Sequence, residues 1–129
     1  MPDFFIEKKV YYHDTDSGGV VYYANYLKFL EEARTEFCLS RGMDLRKLFE
    51  EGMAFAVVHV EVDYKSPAKY GDTLKIGARV DKIGNSSVHF YQEIICGQKL
   101  LIKARTVWAC VTRDFKARSL PQEIKNSLA

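Results

Sequence analysis

Tyr11 to Tyr26 reads YYHDTDSGGVVYYANY. This stretch gathers His13, the carboxylates Asp14 and Asp16, the hydroxyls of Thr15 and Ser17, and the pair Gly18-Gly19. A carboxylate in such a loop can serve as a nucleophile or as a general base. Glycines let the backbone approach a ligand and adopt φ angles that other residues avoid. A helix that opens just beyond them offers unpaired N–H groups and the positive end of its dipole. Those amides can hold a carbonyl oxygen as it gains negative charge. This is the equipment for acyl transfer or hydrolysis. The same residue types also do plainer work, because Asp, Ser and Thr before a helix are common N-caps. Paired aspartates raise the question of a cation, but nothing nearby supplies a full shell of oxygen ligands. The residues alone leave catalysis and capping both open.

The loop needs a strand before it and a helix after it. Phe4 to Tyr12 is rich in aromatic and β-branched residues and predicts a strand. Tyr22 to Arg41 predicts a helix, with Tyr26, Leu30, Ala33 and Phe37 as its apolar stripe. Lys28, Glu32 and Glu36 fall on the wet side, and Gly42 is the stop. Leu45 to Glu51 predicts a short second helix. The period then changes to two. Strands are expected at Val58–Tyr64, Leu74–Val80, Val88–Cys96 and Leu100–Thr112. Short turns at Ser66–Asp72, Gly84-Asn85 and Gly97-Gln98 suggest an antiparallel meander. The expected fold class is α+β, one helix covering one face of a curved sheet. The other face also carries Val, Ile and Tyr, which one helix cannot cover, so a homo-oligomer is expected.

Composition bounds the function. The 129 residues suit a single domain, residues 1–129. Lys plus Arg is 19 and Asp plus Glu is 17, a net charge of +2. Scattered as they are, these charges do not suggest nucleic acid. Cys38, Cys96 and Cys110 have neither zinc-site spacing nor an even count, and read as free thiols in a reducing compartment. No window reaches the roughly 20 apolar residues of a membrane span. A cytoplasmic protein is expected, with a peripheral membrane partner still open.

The string HDTDSGGVVYYANYLKFLEEART resembles the opening of the 4-hydroxybenzoyl-CoA thioesterase-like hotdog family. It is most similar to the bacterial acyl-CoA thioesterase subgroup associated with the Tol–Pal envelope system. VDYKSPAKYGDTLKI, Val62 to Ile76, continues the likeness. The resemblance implies a hotdog fold, a curved antiparallel five-stranded sheet wrapped around one long central helix. It implies sheets joined edge to edge in a homodimer, with dimers pairing into a homotetramer. The substrate would be an acyl-CoA, short-chain or aromatic, with no metal and no redox cofactor. The family's catalytic acid falls on Asp16, and the helix-start amide that polarises the thioester carbonyl falls on Tyr23. Gly19 and Val20 would lie along the acyl group, and Asn25 would hydrogen-bond the loop and steady Asp16. Pantetheine would follow a subunit interface, with the nucleotide near the surface.

Two departures stand out. Some close relatives have His where this chain has Tyr23, so only a backbone role carries over. Some also have a basic cluster after the third strand, where this chain has Gly84, Asn85 and Ser86 with Lys82 nearby. For the CoA phosphates Lys65 and Lys82 are the first candidates, followed by Lys69, Arg105 and Arg113. Asp14 is expected to brace the loop, and His13, His59 and His89 to be structural or solvated. The competing reading is a non-catalytic acyl-CoA or acyl-carrier binding module, since a hotdog domain can serve as a sensor. No helix-turn-helix or basic arm points to DNA. A dehydratase would need a histidine beside Asp16, and only His13 is near in sequence.

Overall fold

The computed structural model describes residues 2–129. Strand β1 is Phe4–Lys9, and a 3-10 turn follows at Tyr12–Asp14. Helix α1 is Asn25–Ser40 and helix α2 is Leu45–Glu50. Strands β2 (Ala54–Tyr64), β3 (Thr73–Ile83), β4 (Ser87–Cys96) and β5 (Lys99–Val111) follow, and helix α3 is Gln122–Leu128. The five strands form one antiparallel sheet in the order β1-β3-β4-β5-β2. The α+β class expected from the sequence is what the chain adopts.

The order corrects the meander. β3, β4 and β5 are successive hairpin neighbours, but β2 does not pair with β3. It pairs with β5 at the opposite side of the sheet, Val60 facing Thr106 and Val62 facing Ala104. The segment Lys65–Asp72 is therefore a crossing, and β2 is an edge strand. A short connection made the two strands look adjacent, but the sheet leaves β3 committed to β1 and β4.

α1 forms because its apolar positions recur every three to four residues. Tyr26, Phe29, Leu30, Ala33, Phe37 and Cys38 are buried. Its stop is a Schellman arrangement: the Gly42 N–H donates to the Leu39 carbonyl and the Met43 N–H to the Cys38 carbonyl. Gly42 has φ +77°, a conformation in which a Cβ is strained. The buried stripe meets sheet rows such as Ile76–Ile94–Ile102 and Ala78–Gln92–Ala104. Phe37 lies edge-on to Phe90 at 6.0 Å between centroids. Lys28 and Glu36 are exposed as expected, while Glu32 is half-buried in an ion pair with Lys8 at 3.4 Å.

The sheet's outer face differs from the expectation of uncovered Val, Ile and Tyr. Its central row is Arg79–Tyr91–Arg105–Glu61. The two guanidinium groups lie over the Tyr91 ring at 4.3 and 5.0 Å and leave it nearly covered. Long basic side chains shield apolar surface in this way. Within the sheet, the exposed large apolar residues are Phe5 on β1 and a group on β2, at Val57, Val58, Val60 and Tyr64.

Cys38, Cys96 and Cys110 are free, and burial pushes the Cys38 thiol up to about 12. Helix α3, unpredicted from the sequence, buries Ile124 and Leu128. Replacing Leu30, fully buried between α1 and the sheet, tests this core. Leu30→Ala should lower unfolding stability by about 2–5 kcal/mol in chemical denaturation.

Candidate active site

The loop between β1 and α1 is held at three points. The Asp14 carboxylate accepts the Tyr11 N–H at 2.9 Å. Its carbonyl accepts the Tyr22 N–H at 3.0 Å and the Asn25 side-chain amide at 3.0 Å. Asp14 thus ties the strand exit, the far side of the loop and the helix start together, and it is buried as that work requires. His13 is exposed and approaches only Asp14, Nδ1 to Oδ1 at 3.7 Å.

Asp16 sits at the tip. Its main-chain N–H donates to the Val20 carbonyl at 2.9 Å, and its carbonyl accepts the Gly19 N–H at 3.1 Å. One carboxylate oxygen, Oδ1, accepts the Gly18 N–H at 2.8 Å. Gly19 turns the chain with φ +81°, which a side chain would oppose. The other carboxylate oxygen, Oδ2, has no hydrogen-bond partner among the described residues. The side chain is exposed.

The helix begins later than predicted. Tyr22 and Tyr23 precede it, because the Asn25 N–H closes a turn onto the Tyr22 carbonyl at 2.8 Å and the helix starts at Asn25. In a trans peptide the N–H points opposite to the C=O. Anchoring the Tyr22 carbonyl therefore directs the Tyr23 N–H the other way. That N–H meets no carbonyl among the described residues. It is an unpaired donor at the entry to α1, where the dipole favours negative charge.

Asp16, Val20 and Tyr23 line one cavity of about 360 Å³ together with Tyr26, Tyr64 and Lys65. Tyr26 is buried, and its hydroxyl oxygen accepts the Ala68 N–H at 2.9 Å. Burial raises the Tyr26 phenol above its ordinary value, so it stays neutral. The Tyr64 hydroxyl donates to the Tyr23 carbonyl at 3.0 Å. That contact ties β2 to the turn that carries the free amide. Sequence reasoning took Tyr64 as one apolar position in an alternating strand. An aromatic residue with a polar tip at the last position of that strand was the available signal.

The other predicted residues sit elsewhere. Asn25 does not line the cavity and spends its side-chain amide on the loop, through Asp14 rather than Asp16. Gly19 shapes the loop outside the cavity wall. Lys69 is close by, since it bridges Val20. Lys82 pairs with His89 at the opposite end of β3. Arg105 is ion-paired with Asp81 on the outer face, at 2.5 Å. Arg113 donates to the carbonyls of Phe49 and Glu50 at the end of α2.

A carboxylate and a residue with an unpaired helix-entry amide lining one largely apolar cavity make an arrangement suited to acyl chemistry. Residues 10–128 match the Thioesterase-like superfamily. The chain belongs to that family. The Escherichia coli acyl-CoA thioester hydrolase YbgC is 37% identical over 118 residues, 90% of this chain and 88% of its own. A probable thioesterase from Bartonella henselae has a solved structure with TM-score 0.87 and 32% identity, over 92% of this chain and 98% of that one. A 1,4-dihydroxy-2-naphthoyl-CoA thioesterase from Synechocystis superposes with TM-score 0.89 and 28% identity, over 97% and 94%. The fold is the hotdog of these thioesterases.

The Tyr26–Ala68 contact gives a direct test of how the cavity wall is built. Tyr26→Phe leaves a buried N–H without an acceptor and should cost about 1–3 kcal/mol in unfolding experiments.

Proposed function

We propose that this protein hydrolyses acyl-CoA thioesters, short-chain or aromatic, to a free acid and CoA. The observation that carries the reading is that Asp16 and Tyr23, whose N–H is unpaired, line one cavity. The thioester oxygen accepts the Tyr23 amide, which stabilises the charge that develops on it. Asp16 takes a proton from water, and the water oxygen bonds to the carbonyl carbon. The carbon–sulfur bond then breaks, and the CoA sulfur leaves with the electron pair and takes up the proton. Direct attack by Asp16, with an anhydride that water later opens, uses the same residues. Either route needs one carboxylate oxygen free of the loop, as Oδ2 is.

Val20 lies along the acyl group, while Gly19 and Asn25 act by shaping the loop. Among the basic candidates Lys65 stands on the cavity and Lys82 does not, so the phosphate contacts rest on Lys65. The protein works as a homodimer or homotetramer, because β2 exposes apolar side chains along an unpaired edge. We place it in the cytoplasm, with peripheral envelope association as an open partner. Among the described residues no helix is long and apolar enough to cross a membrane.

Thiol release from a panel of acyl-CoAs, aliphatic and aromatic, should separate wild type from Asp16→Asn by about 100-fold or more in kcat. Asparagine keeps the oxygen that accepts the Gly18 N–H, so thermal stability should barely change. Near-normal turnover in that variant would remove Asp16 from the chemistry. Binding without hydrolysis in wild type would instead favour an acyl-CoA sensor. Tyr64→Phe, which frees the Tyr23 carbonyl but keeps the ring, should lower kcat several-fold to about tenfold and change KM less. Steady-state kinetics on the best substrate of the panel reads this split.

A further inference from the structure

Tyr12 and Tyr70 are 76% and 65% exposed, yet both stand on fixed backbone. The Val10 N–H donates to the Asp72 carbonyl at 2.8 Å, and the Gly71 N–H donates to the Val10 carbonyl at 3.0 Å. Those two bonds hold the end of the crossing segment against the exit of β1. The Tyr12 and Tyr70 rings meet there, 6.0 Å between centroids and 37° between planes. In the flanking residues Tyr11 stacks on His13 at 6.0 Å, and the Lys9 ammonium lies 5.9 Å from the Tyr11 ring. Large rings left together in water mark a recognition surface.

The crossing segment joins this surface to the cavity of Asp16. Lys65, Ser66 and Pro67 line that cavity. The Ala68 carbonyl then accepts the Val21 N–H at 2.9 Å, Lys69 pairs with Val20, and Tyr70 follows. Lys65 and Tyr70 are five positions apart, so at most about 18 Å of chain separates them. Lys65 and Lys69 are exposed along this path, and neither ammonium forms an ion pair among the described residues. The one carboxylate beside them, on Asp72, accepts the Lys69 main-chain N–H at 2.9 Å.

We propose that Tyr12 and Tyr70 hold the adenine ring of the CoA substrate, with its diphosphate on Lys65 and Lys69. The inference rests on the acyl-CoA reading of the Asp16 cavity. Every base has a π-face that stacks on an aromatic side chain, and lysine ammonium groups meet phosphate as point charges. The thioester lies at Asp16 and Tyr23, the pantetheine arm follows the crossing segment, and the nucleotide ends on the aromatic pair.

Isothermal titration calorimetry with ADP should show saturable binding to the wild-type protein. Tyr12→Ala and Tyr70→Ala should each weaken it about tenfold or more, whereas Tyr12→Phe and Tyr70→Phe, which keep a stacking face, should bind as wild type does. In steady-state kinetics the alanine variants should raise KM for an acyl-CoA about tenfold and hold kcat. They should not shift KM for the same acyl group on pantetheine, which lacks the nucleotide. ADP should compete with acyl-CoA. The proposal is overturned if wild type does not bind ADP, if the alanine variants bind it equally well, or if they impair both substrates alike. It is also overturned if ADP inhibits without competing, which would make the pair a site for a separate nucleotide. A wild type inactive on every thioester would remove the acyl-CoA reading, and the calorimetry would still decide whether the aromatic pair takes the nucleotide.

Discussion

Burial of α1 against the inner face of the sheet fixes the position of the candidate site. The helix buries seven of its side chains, and two polar contacts set its register on the strands. The Gln92 side-chain amide donates to the Leu30 carbonyl at 3.0 Å, and the Arg34 guanidinium reaches back to Gln92. Apolar packing tolerates small slides, but directional bonds inside a core do not. Once the helix is set, its entry turn is set, and with it the direction of the Tyr23 amide. The loop that carries Asp16 is then only the connection between that turn and β1.

The loop divides its two aspartates by environment. Asp14 is enclosed and accepts backbone and side-chain donors from both flanks. Asp16 is outside, tied by one oxygen to Gly18. A carboxylate saturated with hydrogen bonds is a brace, whereas one with a free oxygen can still meet a substrate. Tyr64 completes the arrangement from β2, so the amide's surroundings depend on a strand distant in sequence from the loop.

The core of this design was legible in the sequence because periodicity speaks directly. Tyr26, Leu30, Ala33 and Phe37 are all buried, and the glycine loop lies where its composition placed it. The helix start was placed too early because Tyr22 and Tyr23 fit an apolar period, while the turn closed by Asn25 is set by a backbone bond that periodicity does not register. The place of β2 was hidden for a similar reason. Alternation shows that a segment is a strand and says nothing about which strand it meets. The outer face was misjudged because alternation counts its apolar residues without showing that neighbouring strands bring Arg79 and Arg105 over Tyr91 to cover it. Arg34 gave no signal, since an arginine beside glutamates on a helix looks like surface.

The strand order has a consequence for how the chain is made. β1 must wait for β3, since Phe4 pairs with Ala78, and β2 must wait for β5, since Ala54 pairs with Val111. The N-terminal part of the chain, including the apolar stripe of α1 and the edge-forming β2, therefore leaves the ribosome before its sheet partners exist. Non-local pairing of this kind slows folding and prolongs the exposure of sticky surface. The nascent helix stays uncovered until β3 arrives, and β2 joins the sheet only when β5 has been made.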